Sequence, residues 1–181
     1  VRPIQTDGPT PGLETEAGPP LMRLLLRVND FVLDWRRYNL VSNYMAEYSS
    51  YFFEQKDRAE NLISSVFYEL IGHISSCANR DSRIDIQFSV REGWLLFAIS
   101  ATIPREELRW LKELLEEIER GDLDASYRSL LEADLSVPAV YRKMGLIMLA
   151  HDYRARLSAR LDEKEGMATV HAVIRQEEID T

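Results

Sequence analysis

The stretch Asn61–Cys77, NLISSVFYELIGHISSC, decides the fold. Taken with the residues just before it, Ala59, Ile63, Val66, Leu70, Ile74 and Cys77 recur at intervals of three and four. That is the buried stripe of an amphipathic helix, predicted from about Lys56 to Cys77. Phe67 and Ile71 widen the stripe. Glu69 and His73 stand one turn apart on its flank, so their side chains are neighbours. Immediately downstream the period changes. Ile84, Ile86, Phe88 and Val90 alternate with polar residues, Glu92-Gly93 supplies a tight turn, and Trp94–Ser100 is a nearly continuous apolar run. A long helix feeding an antiparallel hairpin is the centre of the molecule.

Upstream, Leu21–Val28 reads as a short strand. Phe31, Trp35, Leu40, Tyr44, Tyr48, Tyr51 and Phe52 then recur mostly at helical spacing, predicting a helix from Trp35 to Glu54. Its aromatic density suits a core face, or a face that meets a partner or a second copy. Val1–Pro20 is different in kind. It carries Pro3, Pro9, Pro11, Pro19 and Pro20 with little apolar content, too little to offset the entropy of ordering, and reads as a flexible tail.

Downstream, Pro104 opens a helix whose core stripe is Leu108, Leu111, Leu115 and Ile118 and whose stop is Gly121. A second helix spans about Asp124–Leu135, and after Pro138 a third covers Ala139–Tyr153. Two strands follow, Leu157–Leu161 and Ala168–Ile174, around a Glu165-Gly166 turn. This order predicts an α+β two-layer sandwich, with helices packed on one face of a mixed, mostly antiparallel sheet, in a single domain over residues 21–181.

The 181 residues carry a formal charge of −8. An acidic chain without a basic cluster is not built for nucleic acid or an anionic membrane. Cys77 is the only cysteine, so no disulfide can form within the chain. No apolar run approaches the ~20 residues of a membrane span. The first residues lack the basic-then-apolar pattern of a secretory leader, and a cytoplasmic protein is expected.

Three local patterns add a resemblance. Trp35–Phe53 (WRRYNLVSNYMAEYSSYFF), Phe67–Ser76 (FYELIGHISS) and Met144–Leu157 (MGLIMLAHDYRARL) occur in the order found in SiaB-like bacterial signalling proteins. The element order over Leu21–Gln176 is similar to the histidine-kinase-like (GHKL) ATPase fold, which includes the anti-sigma-factor kinases. The resemblance implies a helix Glu that acts as base, an Asn one turn later that holds Mg²⁺, an Asp after the second hairpin strand that reads adenine, and glycines that approach phosphate. Glu69 matches the catalytic Glu, and His73 stands at the Asn. Ser100 is the polar residue of Ala98–Thr102, where Asp-x-Gly-x-Gly would stand. Of the second glycine motif Gly145 remains, preceded by Arg142 and Lys143. The nucleotide motifs are therefore degenerate, since imidazole is a poor substitute for the hard oxygen ligands that Mg²⁺ prefers.

The candidate site is thus Glu69 as catalytic base, with His73, Ser100, Arg142, Lys143 and Gly145 as cofactor-binding positions. Arg142, Lys143 and Gly145 are read near a helix start, where free amides hold phosphate. No metal centre is expected: His73 and Cys77 could share an ion, but two ligands are too few. His151 and Asp152, adjacent on a helix, are not expected to face each other. Glu113–Glu119 reads as a solvated face. Three functions follow from different classes. The favoured one is a signal-transduction protein that binds a regulatory partner on a degenerate kinase-like scaffold, with a homodimer through the aromatic helix as a further association. The second is an active Ser/Thr protein kinase using ATP and Mg²⁺. The third is a sensor holding another planar ligand among Phe67, Trp94, Phe97 and Trp110.

Overall fold

The computed structural model describes residues 19–32, 34, 36–134, 137–162 and 164–180. Its elements are β1 (Met22–Arg27), α1 (Val28–Val32), α2 (Arg36–Ser50), α3 (Lys56–Cys77), β2 (Arg83–Arg91), β3 (Trp94–Thr102), α4 (Arg105–Arg120), α5 (Leu123–Leu131), α6 (Pro138–Asp152), β4 (Arg156–Asp162), β5 (Met167–Arg175) and α7 (Glu177–Asp180). The short helices α1 and α7 were not legible in the sequence. The expected tail up to Gly18, the helix start at Trp35 and the helix end at Leu135 lie outside the described residues.

The sandwich expected from the sequence is the one observed, and its sheet is antiparallel in every pair. The strand order is β1-β2-β3-β5-β4. Docking of β4 beside β3 would have made a parallel pair and a mixed sheet. Instead the second hairpin docks through β5, so β3 and β4 run parallel but with β5 between them. Turn chemistry fixes both hairpins. Glu92 and Gly93 adopt φ of 47° and 79°, two consecutive left-handed residues that match the twist of the strands they join. Gly166 takes φ of 63° in the second turn.

Alternation then sorts the sheet faces. Ile84, Ile86 and Phe88 of β2, Leu95, Phe97 and Ile99 of β3, and Val170, Ala172 and Ile174 of β5 are fully buried. Against them α3 lays Ile63, Val66, Phe67, Leu70, Ile71 and Ile74. Phe67 stands 5.0 Å from Phe97, which stands 5.0 Å from Phe88. Ala172 is the register partner of Phe97, and its small side chain leaves space for the ring. Burial of each such ring contributes roughly 1.5–3 kcal/mol. The core therefore immobilises one face of α3 and leaves its flank, Glu69–Gly72–His73–Ser76, to meet α6. Among the described residues no helix is long and apolar enough to cross a membrane.

Candidate functional site

Helices α3 and α6 enclose a cavity of about 330 Å³. Glu69, Gly72, His73 and Ser76 line it from α3, and Arg142 and Gly145 from α6. Tyr38 of α2 and Tyr68 of α3 complete the wall, their rings edge to face at 6.2 Å. Four of the six predicted site residues, Glu69, His73, Arg142 and Gly145, thus meet at one place.

Each is held differently from the sequence expectation. His73 is buried, and its Nδ1 lies 3.2 Å from the carbonyl oxygen of Arg142. A carbonyl only accepts, so Nδ1 carries the proton and Nε2 is left as an acceptor. That Nε2 is buried without a partner. Burial pushes the His73 pKa down to about 4, so the imidazole is neutral at pH 7. The ring stacks on Trp110 of α4 at 5.6 Å between centroids. The guanidinium of Arg142 lies 4.4 Å from the Trp110 centroid and pairs with Glu107 at 2.6 Å. Its Nε is a buried donor without a partner. Glu69 makes no hydrogen bond or ion pair among the described residues, and burial raises the pKa of its carboxyl.

Gly145 is a correction. It sits well inside α6, which starts at Pro138, so its amide belongs to the helix and is not free for phosphate. It packs against Glu69 instead: a Cβ there would collide with Glu69 Oε2, the movable end of a flexible side chain. Lys143 points away from the cavity wall to Glu117, at 2.6 Å. Ser100 is separated from the others by the sheet. Its neighbours Ile99 and Ala101 face the helices, so Ser100 faces outward, where its Oγ meets Thr169 Oγ1 at 2.9 Å. Of the four aromatics expected around a pocket, Phe67 and Phe97 are core residues. Trp94 lies under Arg156 and Arg175, and only Trp110 approaches the site.

Cys77 is buried, contacts the His73 carbonyl at 3.3 Å, and has its thiol pKa pushed up to about 11 by desolvation. Among the described residues no three His, Cys, Asp or Glu side chains are grouped to hold a metal ion. His151 and Asp152 do meet, against expectation, with Nδ1 2.7 Å from Oδ1. Asp152 is the last residue of α6, where the helix no longer directs its side chain away. Tyr127 of α5 stacks on His151 at 4.0 Å and Asp124 reaches its Nε2 at 3.3 Å. With Asp152 and Asp124 at its two ring nitrogens and Tyr127 on its face, His151 clasps α5 to α6. Tyr38, Tyr68 and Glu107 were missed as site residues. Tyr68 adjoins Glu69 in sequence, but no periodicity distinguishes Tyr38 or Glu107.

No protein-family model matches the chain, and no curated protein matches it in sequence. A solved structure does match: a chain in the crystal structure of the SiaB–SiaC complex from Pseudomonas aeruginosa. The TM-score is 0.53 at 16% identity, covering 86% of this chain and 89% of that one. The chain has a SiaB-like fold. At this identity the likeness is one of architecture, and function has to be argued from the site and the surface.

Proposed function

We propose that this chain is a cytoplasmic signal-transduction protein that acts by binding a regulatory partner protein. In this reading residues 21–181 form one domain of the histidine-kinase-like ATPase type whose nucleotide site is degenerate. The observation that carries the reading is the exposed face of α2 and the turn after it. Leu40, Tyr44, Tyr48, Tyr51 and Phe52 are each more than half exposed. Leu40, Tyr44 and Tyr48 recur every four residues and form one stripe, while the opposite face, Met45 and Ala46, is buried. Large aromatics gathered on one helix face are the residues that carry binding energy in protein interfaces. Further support comes from the fold, shared with a chain solved in a two-protein complex. The degenerate site is supported by His73, a neutral buried imidazole at the position that the resemblance gives to the Mg²⁺-holding Asn.

Site-specific photocrosslinking from position Tyr48 in cells tests the reading. A crosslink to one heterologous protein, lost in Tyr44→Ser, is the expected result. A product with twice the mass of the chain would assign the stripe to a homodimer, and no crosslink would remove the basis of the proposal.

A second reading, an active Ser/Thr kinase with ATP and Mg²⁺, has one observation in its favour. Glu69 lies in a cavity with its carboxyl pKa raised, the direction a general base requires. Calorimetry with Mg-ATP on wild type and His73→Asn separates the readings. Heat of binding in the wild type that Glu69→Ala abolishes would favour the kinase.

A further inference from the structure

We propose that the open face of the sheet docks a short acidic segment of a partner protein. The inference goes beyond the α2 reading and does not rest on it. Every helix packs on α3 or on a helix that does, so the helices occupy one side of the sheet and no described element covers the other. Strand alternation assigns the residues of that open face. Arg23 and Arg27 of β1, Arg83 of β2, Arg156 and Arg160 of β4 and Arg175 of β5 all fall on it, and all six are exposed. The strands carry two carboxylates there, Asp85 and Asp162. The chain as a whole has a formal charge of −8. A basic face on so acidic a chain is a segregation of charge that no run of residues in the sequence displays, because the pleat collects its arginines from four strands.

The arginines form two borders. Arg27 and Arg83 are register partners on β1 and β2, like charges placed directly opposite one another, an arrangement that costs stability. Arg156 and Arg160 stand at the β4 edge. None of these four has an ion-pair partner among the described residues. Arg23 is compensated by Asp85 at 2.6 Å and Arg175 by Glu177 at 3.1 Å, while Asp162 accepts from the backbone amides of its own turn. Trp94 lies 5.4 Å from the Arg156 guanidinium and 5.0 Å from that of Arg175, which holds both groups on the face and lowers the entropy lost on binding. Between the borders β3 and β5 present Ala98, Ser100 and Thr169, small and uncharged. Strands are spaced about 4.8 Å apart, so the outer strands stand roughly 19 Å from each other, the span of about six extended residues. Guanidinium forks pair carboxylates through two parallel bonds, and Asp and Glu side chains on such a segment supply the missing partners. Other occupants fit less well. Two copies joined face to face would set arginines against arginines. A nucleic acid or an anionic bilayer reaches past the face to the rest of an acidic chain, and Trp94, the ring on which a base would stack, is already engaged by two guanidinium groups.

The test is fluorescence anisotropy of the full chain with a labelled octapeptide of glutamate, and with its glutamine counterpart, at about 50 mM salt. Saturable binding of the glutamate peptide is expected, at least tenfold weaker for the glutamine peptide and falling as salt is raised. The double variants Arg27→Gln/Arg83→Gln and Arg156→Gln/Arg160→Gln should each lower its affinity at least fivefold while the melting transition stays cooperative. Arg58→Gln/Arg109→Gln, which removes the same charge from exposed positions on α3 and α4, should leave it within twofold of wild type. No saturable binding of the glutamate peptide, equal binding of the glutamine peptide, or the same loss in Arg58→Gln/Arg109→Gln as in the other two double variants would overturn the assignment. So would tighter binding of an octathymidylate or of phosphatidylserine vesicles, which would give the face to a nucleic acid or a membrane. Self-association of the chain that the face variants abolish would overturn it too, in favour of a second copy. The peptide has no apolar side chain for the α2 stripe, so these outcomes are independent of whether α2 captures a partner.

Discussion

Replacement of Gly145 by Ala probes the α3–α6 contact through a sign that depends on Glu69. In an isolated helix interior, Gly→Ala stabilises by about 1 kcal/mol. In α6 the new Cβ would overlap Glu69 Oε2, and it would lie 3.3 Å from Glu69 Cδ and 3.7 Å from Glu69 Cβ. Only the end of a flexible side chain has to move. Holding that side chain ~30° off its rotamer costs about 0.5–1.5 kcal/mol, so the single variant should unfold within about 0.5 kcal/mol of wild type. In a Glu69→Ala background the conflict is gone and an ordinary Cβ–Cβ contact at 3.7 Å remains. There Gly145→Ala should recover the full gain of about 1 kcal/mol, a urea midpoint shift of roughly 0.5 M at an m-value of roughly 2 kcal/mol/M. The double-mutant cycle should therefore show a coupling of about 0.5–1.5 kcal/mol. Additivity within about 0.3 kcal/mol would refute the reasoning. So would a loss above about 2 kcal/mol in both backgrounds, because the obstruction would then be backbone rather than carboxylate.

Three further outcomes follow from the same structure. Phe97→Ala removes a fully buried ring from between Phe67 and Phe88 and should cost about 3–5 kcal/mol in equilibrium unfolding; a loss below about 1 kcal/mol would contradict the core described. An unfolded chain protonates His73 as pH falls through 6.5, whereas the folded chain does so only near 4. The stability this residue contributes is therefore complete above about pH 6.5 and declines toward pH 4, by up to ~1.4 kcal/mol per pH unit. Glu69, with its pKa raised, has the opposite slope, so the quantity to measure is the difference between wild type and His73→Phe, which should grow with pH over that window. Cys77, buried with its pKa near 11, should react with a disulfide reagent at pH 8 only on the timescale of unfolding; rapid stoichiometric labelling of native protein would show the thiol to be accessible.

The parts of the molecule legible in the sequence are those written in local periodicity. The α3 stripe and both hairpins follow from residues a few positions apart, and their turns from Glu92-Gly93 and Glu165-Gly166. The β3–β5 pairing was not legible, because nothing local in the second hairpin says which of its strands will dock. The same gap misplaced Ser100. In a strand the choice of face changes with every residue, so a polar residue beside the correct position lies on the wrong side of the sheet. At the cavity, Glu69 and His73 were visible as a pair on one helix. The group that fixes the His73 tautomer is a backbone carbonyl 69 residues away, which no side-chain motif encodes. Gly145 was found by resemblance, and it lies well inside α6 rather than at a helix start. There it lies against the end of the Glu69 side chain, which an added Cβ would displace. The His151–Asp152 pair escaped because the rule for adjacent helical residues fails at the residue where the helix ends.

The pairing of β1 also bears on the order in which the protein can be made. Arg23 meets Asp85, 62 residues later in the chain. Synthesis at roughly 5–20 residues per second leaves β1 without its partner strand for roughly 3–12 s. During that interval Leu24, Leu25 and Leu26 are an unpaired apolar segment, capable of joining strands from other nascent chains. Arg23 and Arg27 flank those leucines, and both are exposed in the finished sheet. Their charges guard the segment while it waits and afterwards keep the outer edge of the sheet from recruiting a further strand.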